Sequence, residues 1–158
     1  MKLYGYWRSS AAYRVRIALN LKGMDYEIIP VHLLKDGGGQ RAPEYASKNP
    51  NRLVPLYTDG THTIHQSLAI IEYVAELFPE AGLWPKDPAW RSMARSVSME
   101  MLSGFRALRG ACPMNMRRPV GAISLPDGVA ADVRRIEEIW RDLRKLSRGP
   151  FLFGAFGA

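Results

Sequence analysis

"NPNRLVPLYTDGTHTIHQSLAIIEYVAELFP", residues 49–79, decides how this chain folds. "RLVPLY" and "HTIHQ" read as two short strands, with "TDG" between them as a tight turn. Leu68, Ile71, Val74, Ala75 and Phe78 then recur at helical spacing, and Pro79 follows their end, where a helix has to stop. Pro55 sits inside the first strand, where a trans-proline removes a ladder donor; an edge position is the plain solution.

Upstream, strand and helix signals alternate. "KLYGYW" is short and aromatic-rich, a strand pattern. In "SSAAYRVRIALNLKG", residues 9–23, Ser9 or Ser10 can cap a helix whose Val15, Ala18 and Leu19 share one face, and Gly23 can end it. "YEIIPVHL" is β-rich, with Pro30 pointing to an edge or a bulge, and "APEYASKN" reads as a short helix. The predicted order is β-α-β-α-β-β-α, an α/β domain over residues 1–80.

Downstream the signal is helical only. Asp87-Pro88 combines a capping carboxylate with a first-turn proline. Trp90, Met93, Ala94, Val97, Met101, Phe105 and Leu108 then predict one long amphipathic helix. After a proline-punctuated segment from Pro113 to Pro126, Val129, Val133, Ile136, Trp140 and Leu143 predict a second helix. Two such helices cannot bury both apolar stripes alone, and the run "PFLFGAFGA" is rich in phenylalanine where a domain end is normally a surface feature. Residues 86–158 therefore read as an all-α domain that is incomplete, or that a partner covers.

Composition narrows the function. Of 158 residues, 47% are hydrophobic, enough for a core, and the single cysteine, Cys112, excludes an internal disulfide or a CxxC pair. No secretory signal pattern is present and no apolar run approaches the roughly 18 residues needed to span a bilayer, so a cytoplasmic protein without a membrane partner is expected. The net charge is +7; residues 81–158 hold 13 Lys/Arg against 7 Asp/Glu, while residues 1–80 hold 9 against 8. That asymmetry suits nucleic acid or an acidic small molecule, and the lack of a basic block interleaved with aromatics favours the small molecule. His62 and His65, read as three apart in one strand, face opposite ways, and His32 sits in another strand, so no metal site is expected.

Three stretches carry a family resemblance: "YWRSSAAYRVRIALNLKGMDYEIIPVHLLKDGGGQ", "NPNRLVPLYTDG" and "IHQSLAIIEYVAELFPE". Together they resemble the glutathione transferase superfamily, and within it the zeta class of maleylacetoacetate and maleylpyruvate isomerases. The resemblance implies a thioredoxin-like N-terminal domain that binds glutathione as cosubstrate, a helical domain for a small electrophile, and a homodimer. It makes Ser9 the catalytic hydroxyl that stabilises the glutathione thiolate, with Ser10 the other candidate, and it places Ser10 and Ala11 among the glutathione contacts. It makes Pro55 a cis-proline that frees the Val54 backbone for the cysteinyl unit, and it assigns Gln66 and Ser67 to the γ-glutamyl carboxylate and Gln40 to a further glutathione contact.

Each assignment has a plain counterpart: Ser9, Ser10 or Ser67 as a helix cap only, and Gln40 as a loop residue following the "DGGG" run. Residues 11 and 12 are alanines where zeta members carry a cysteine and a further serine, and "EMLSGFRALRGACPMNMRRP" and "GPFLFGAFGA" look like another bacterial glutathione transferase subgroup. Arg106 and Arg109 suit the carboxylates of an acidic substrate, since guanidinium matches carboxylate two-pronged, although a solvated helix face explains them as well. The leading expectation is a glutathione transferase; the alternatives are a glutathione-dependent cis–trans isomerase and a non-catalytic protein-binding module.

Overall fold

Why residues 2–77 close into one layered unit is visible in the alternation of the first strand. In the computed structural model, which describes residues 1–34, 37–115 and 117–157, Leu3 is fully buried, and a Cβ built on Gly5 would lie 3.2 Å from Ala12 Cβ. Leu3 and Gly5 thus face helix α1 (Ser10–Leu21), while Tyr4, one step along, faces Tyr45 of helix α2 (Pro43–Lys48) with ring centroids 6.0 Å apart. Asp36 of the "DGGG" run, Met116 of the Pro113–Pro126 segment and the last residue, Ala158, lie outside the described residues, as does Lys35.

The unit Met1–Leu83 contains β1 (Lys2–Gly5), α1 (Ser10–Leu21), β2 (Glu27–Pro30), α2 (Pro43–Lys48), β3 (Leu56–Thr58), β4 (Thr63–His65) and α3 (Ser67–Leu77). Its sheet runs β2-β1-β3-β4, with β2 parallel to β1 and the other pairings antiparallel. Helices α1 and α3 pack together, with Val15, Leu19, Ile70, Ile71 and Val74 all buried; α2 lies with the other cluster, where Tyr45, Val31 and Leu56 are buried together. This is the thioredoxin-like architecture. Pro30 ends the edge strand β2, where its missing N–H removes no ladder bond.

The β3–β4 turn is fastened to α3. Asp59 Oδ1 accepts from the Thr61 and His62 amides at 2.9 and 2.8 Å, and Oδ2 accepts from the Tyr73 hydroxyl at 2.6 Å. The Tyr73 hydroxyl bond first, then the two amides, hold the Asp59 carboxyl well below the usual carboxylate range; the same bond pushes Tyr73 up to about 12. His62 therefore lies in the turn, outside β4, and His32 lies beyond the end of β2, so the two-strand reading of the histidines is corrected: Asp59 holds the Thr61 and His62 amides and carries the turn on past "TDG" to His62.

The unit Trp84–Gly157 is helical. Asp87 caps α4 (Pro88–Ser103), its Oδ1 accepting from the Trp90 amide at 2.8 Å. The expected single long helix is broken. Gly104 caps α4 where any Cβ would sit 2.8 Å from the Glu100 carbonyl oxygen, and Phe105 takes a left-handed conformation, φ 60°, before α5 (Arg106–Ala111). The apolar spacing runs through this break because the reversal turns Phe105 into the core with Ile139 and Leu143 of α6 (Val129–Leu146). Three hydrogen bonds tie α4 and α5 to α6: Asp132 Oδ2 accepts from the Leu108 amide at 2.9 Å, and Glu100 pairs two-pronged with Arg135 at 2.7 and 3.0 Å. Leu152 and Phe153 of the terminal phenylalanine-rich run pack on the same cluster, Phe153 edge-on to Trp90 at 5.6 Å.

Two outcomes follow. Phe105→Ala leaves the left-handed backbone in place and empties the core, so it should destabilise the helical unit by roughly 3–5 kcal/mol, read as a lower urea midpoint by circular dichroism; an unchanged midpoint would contradict the packing described. For Tyr73, a neutral hydroxyl favoured in the folded state contributes stability that is complete below its ordinary value of 10.0 and is lost as pH rises toward about 12. Tyr73→Phe should lower the neutral-pH melting temperature and flatten that alkaline limb.

Candidate functional site

Strand register gathers the site. Tyr4 pairs with Leu56 and Leu56 with His65, so the end of β1, the start of β3 and the end of β4 lie at one edge of the sheet. β2 is parallel to β1, Pro30 opposite Gly5, and ends at that edge too. The residues that follow or precede those strand ends are the expected ones: Ser9 after β1, Val54-Pro55 before β3, Gln66-Ser67 after β4. Helices α1 and α3 both begin there, and two helix N-termini present unpaired N–H groups and positive potential to an anion.

Ser9 is the N-cap of α1, its Oγ accepting from the Ala12 amide at 3.2 Å. A hydroxyl has one proton and two lone pairs, and the cap uses a lone pair only. The Ser9 proton stays available for a second acceptor, so capping and thiolate stabilisation are compatible on one oxygen. Ser10 is the first helical residue and exposed, Ala11 is half-buried, and Ala12 is buried against Gly5.

The Val54–Pro55 peptide is cis, Pro55 is buried, and β3 starts only at Leu56. Among the described residues the Val54 backbone has no hydrogen-bond partner, leaving its N–H and C=O for a ligand's main chain. The preceding carbonyl is held firmly. Leu53 O accepts from the Tyr45 hydroxyl at 2.5 Å and from Asn49 Nδ2 at 2.7 Å. Asn49 is fully buried, and burial is the first cause raising the Tyr45 hydroxyl above its ordinary value. Neither was among the expected residues; a polar side chain in the "NPN" turn was the available signal for Asn49.

Gln66, with φ 73°, is the N-cap of α3 but makes no side-chain cap bond. A non-glycine residue in this region costs about 1–3 kcal/mol and recurs at functional sites. Ser67 is not a cap either: it is the first residue of α3, only 1% exposed, and its Oγ accepts from Arg14 Nη1 at 3.0 Å. Arg14 also escaped the sequence reading, lying 53 positions away. Gln40 lies in a turn of 3₁₀ helix, Gly39–Arg41, after β2; its Oε1 is buried without a hydrogen-bond partner and its amide rests against Gly38, where a Cβ would approach to 2.6 Å. In the helical unit, Arg106 is exposed at the start of α5, while Arg109 Nε donates to the Gly104 carbonyl at 3.2 Å and its Nη2 to that of Met101. Among the described residues no group of three or more His, Cys, Asp or Glu could hold a metal ion, and no helix is long and apolar enough to cross a membrane.

Comparison with known proteins identifies the family. Residues 1–76 match the family described as glutathione S-transferase, N-terminal domain. Maleylacetoacetate isomerase of Rattus norvegicus is 51% identical over 108 residues, 68% of this chain and 50% of that protein, so the chain spans about half the length of the curated relatives it matches. A holo structure of a maleyl pyruvate isomerase, described as a bacterial zeta-class glutathione S-transferase, superposes with a TM-score of 0.76 at 30% identity, covering 100% of this chain and 76% of that one. A structure of maleylacetoacetate isomerase from Methylobacterium extorquens AM1 with bound malonate and GSH gives 0.71 at 29%, with coverages of 100% and 76%. The chain belongs to the glutathione S-transferase family.

Proposed function

We propose that this sheet edge binds glutathione, ionises its thiol, and serves a glutathione-dependent cis–trans isomerisation of a maleyl-type acid. The observation that carries the reading is Ser9: its Oγ caps α1 through a lone pair and keeps its proton for sulfur, at the edge where Val54, Gln66 and Ser67 also end. A free thiol has a pKa of about 8.5 and reacts as the thiolate, so a hydroxyl donor beside a helix N-terminus favours the reactive form at neutral pH. Val54 main-chain groups take the cysteinyl unit, Gln66 and Ser67 the γ-glutamyl carboxylate, and Gln40, whose buried Oε1 lacks a partner, a further polar group of the tripeptide. Ser10 and Ala11 line the sulfur side of α1.

The chemistry consumes no glutathione. The thiolate forms a C–S bond to one carbon of the cis double bond while the π electrons move onto the conjugated carbonyl. Rotation about the new single bond follows; the electrons return, the C–S bond breaks, and the trans double bond and thiolate are regenerated. The alanines at 11 and 12 weigh toward a general transferase, but relatives named maleylacetoacetate isomerase support the isomerase more strongly. Arg106, which makes no ion pair among the described residues, is better placed than Arg109 to hold a substrate carboxylate in the helical unit. Residues 1–80 are assigned to glutathione and 86–158 to the second substrate, in a cytoplasmic homodimer.

Ser9→Ala should leave glutathione bound and raise the pKa of its thiol toward the free value, followed as thiolate absorbance against pH; an unmoved pKa removes Ser9 from the mechanism. Incubation with maleylacetoacetate or maleylpyruvate should give the trans isomer at constant glutathione concentration. Consumption of glutathione in step with substrate would instead identify a conjugating transferase.

A further inference from the structure

The helical unit leaves open an apolar hollow that no residue assigned to glutathione touches. It lies between the start of α4 and the end of α6, has a volume of about 600 Å³, and is lined by residues of the unit Trp84–Gly157 alone. That volume falls within the range of pockets that hold a small organic molecule, about 300–1,000 Å³.

The fold holds the walls in place. Asp87 caps α4 and so fixes the first turn, which carries Trp90. On the other side the chain doubles back after α6. Arg144 Nη1 donates to the carbonyls of Gly149 and Phe151 at 2.7 and 3.4 Å, Phe151 pairs with Gly154, and a Cβ on Gly149 would collide with the Gly154 carbonyl oxygen. This tight loop sets Phe153 edge-on to Trp90, with centroids 5.6 Å apart and planes at 82°. The two rings make a corner that Pro85 and Leu146 extend, and Leu146 stays 62% exposed. Two cations stand at the hollow, Lys86 and Arg148, and neither side chain has a hydrogen-bond or ion-pair partner among the described residues. Against them stands one carboxylate, Asp87, whose Oδ1 already accepts from the Trp90 amide. The lining therefore carries a surplus of one positive charge over an apolar floor.

We infer that this hollow binds a flat aromatic carboxylate. The ligand's ring lies against one wall of the corner while its edge meets the other, the geometry that aromatic groups prefer. Its carboxylate faces Arg148, whose guanidinium matches it two-pronged, with Lys86 as a second charge. A multiply charged anion fits less well, because one surplus positive charge does not balance it. An aliphatic acid leaves the aromatic corner half used. The inference goes beyond the isomerase reading, whose substrate is a non-aromatic acid, and does not rest on it.

The experiment is calorimetric titration of the full chain with 2-naphthoate and with 2-naphthalenemethanol, which has the same rings and no charge. The chain should bind one 2-naphthoate, and the alcohol more weakly. Lys86→Gln combined with Arg148→Gln should cost 2-naphthoate about tenfold in affinity, a few-fold from each exposed cation, and leave the alcohol unchanged. Leu146→Asp, which changes an exposed side chain, should abolish binding of both ligands while the circular dichroism spectrum stays the same. If that variant does not fold, Leu146→Gln is read in its place and should weaken both ligands. Saturating glutathione should leave the 2-naphthoate affinity as it was. Equal affinity for acid and alcohol, binding that survives the Leu146 substitution, or displacement by glutathione each overturns the inference, as does an absence of binding at millimolar 2-naphthoate. If Leu146→Asp instead lowers the sedimenting mass of the protein, a second copy of the chain occupies the hollow and the small-molecule reading falls.

Discussion

The pairing of Tyr4 with Leu56 and of Leu56 with His65 is the constraint on which the site depends. Two antiparallel registers with a side-chain period of two leave no freedom: shifting β3 by one residue would send Leu56 to the face of Tyr57 and move Val54 away from the end of β1. The buried pattern enforces the register. Leu3 and Tyr57 are both fully buried on the α1–α3 side, and Tyr4 and Leu56 meet Tyr45 on the other. Once those faces are filled, the termini of four strands and two helices have only one edge to share. The concentration of donors and positive potential there is a consequence of packing.

Around that edge, support comes from groups bonded to the proposed contacts or to their chain neighbours. Asn49 and Tyr45 both donate to Leu53 O, so the carbonyl just before Val54 cannot turn, and Val54's own backbone groups are left aimed outward. Arg14 does the same for Ser67 from the opposite flank. Each support is a buried or half-buried polar group whose bonds lie in the interior, which is the arrangement that holds a binding group without competing for what it binds.

Much of this could be read from the residues, for physical reasons that are specific. Ser9 as a cap, Gly23 beyond the end of α1 with φ 65°, the short strands and the β-α-β-α-β-β-α order all follow from local preferences that act over three or four positions. The break at Gly104 did not, because apolar spacing records which residues are buried and not how the chain delivers them: Phe105 keeps its place in the pattern while the helix stops in front of it. Asp59 was likewise read as a turn residue but not as the acceptor for Tyr73, and the Arg14–Ser67 bond spans 53 positions, beyond any local rule. Between general transferase and isomerase the residues leaned on Ala11 and Ala12; the isomerase proposal rests instead on relatives named maleylacetoacetate isomerase.

The edge strand β2 has a consequence for how the molecule behaves among its own copies. Four residues long, it leaves one side of its backbone unpaired and exposes Ile28, the kind of surface on which another chain can add a strand. The charged pair of Glu27 with Lys2 sits at one end, at 3.5 Å, and Pro30 removes a donor at the other. Glu27 N and Val31 N bond β1, so the outward main-chain groups are those of Ile28 and the Pro30 carbonyl, too few for an incoming strand to register against. The proline that ends β2 thus also guards the sheet from growing sideways, which closes one route by which copies could join edge to edge.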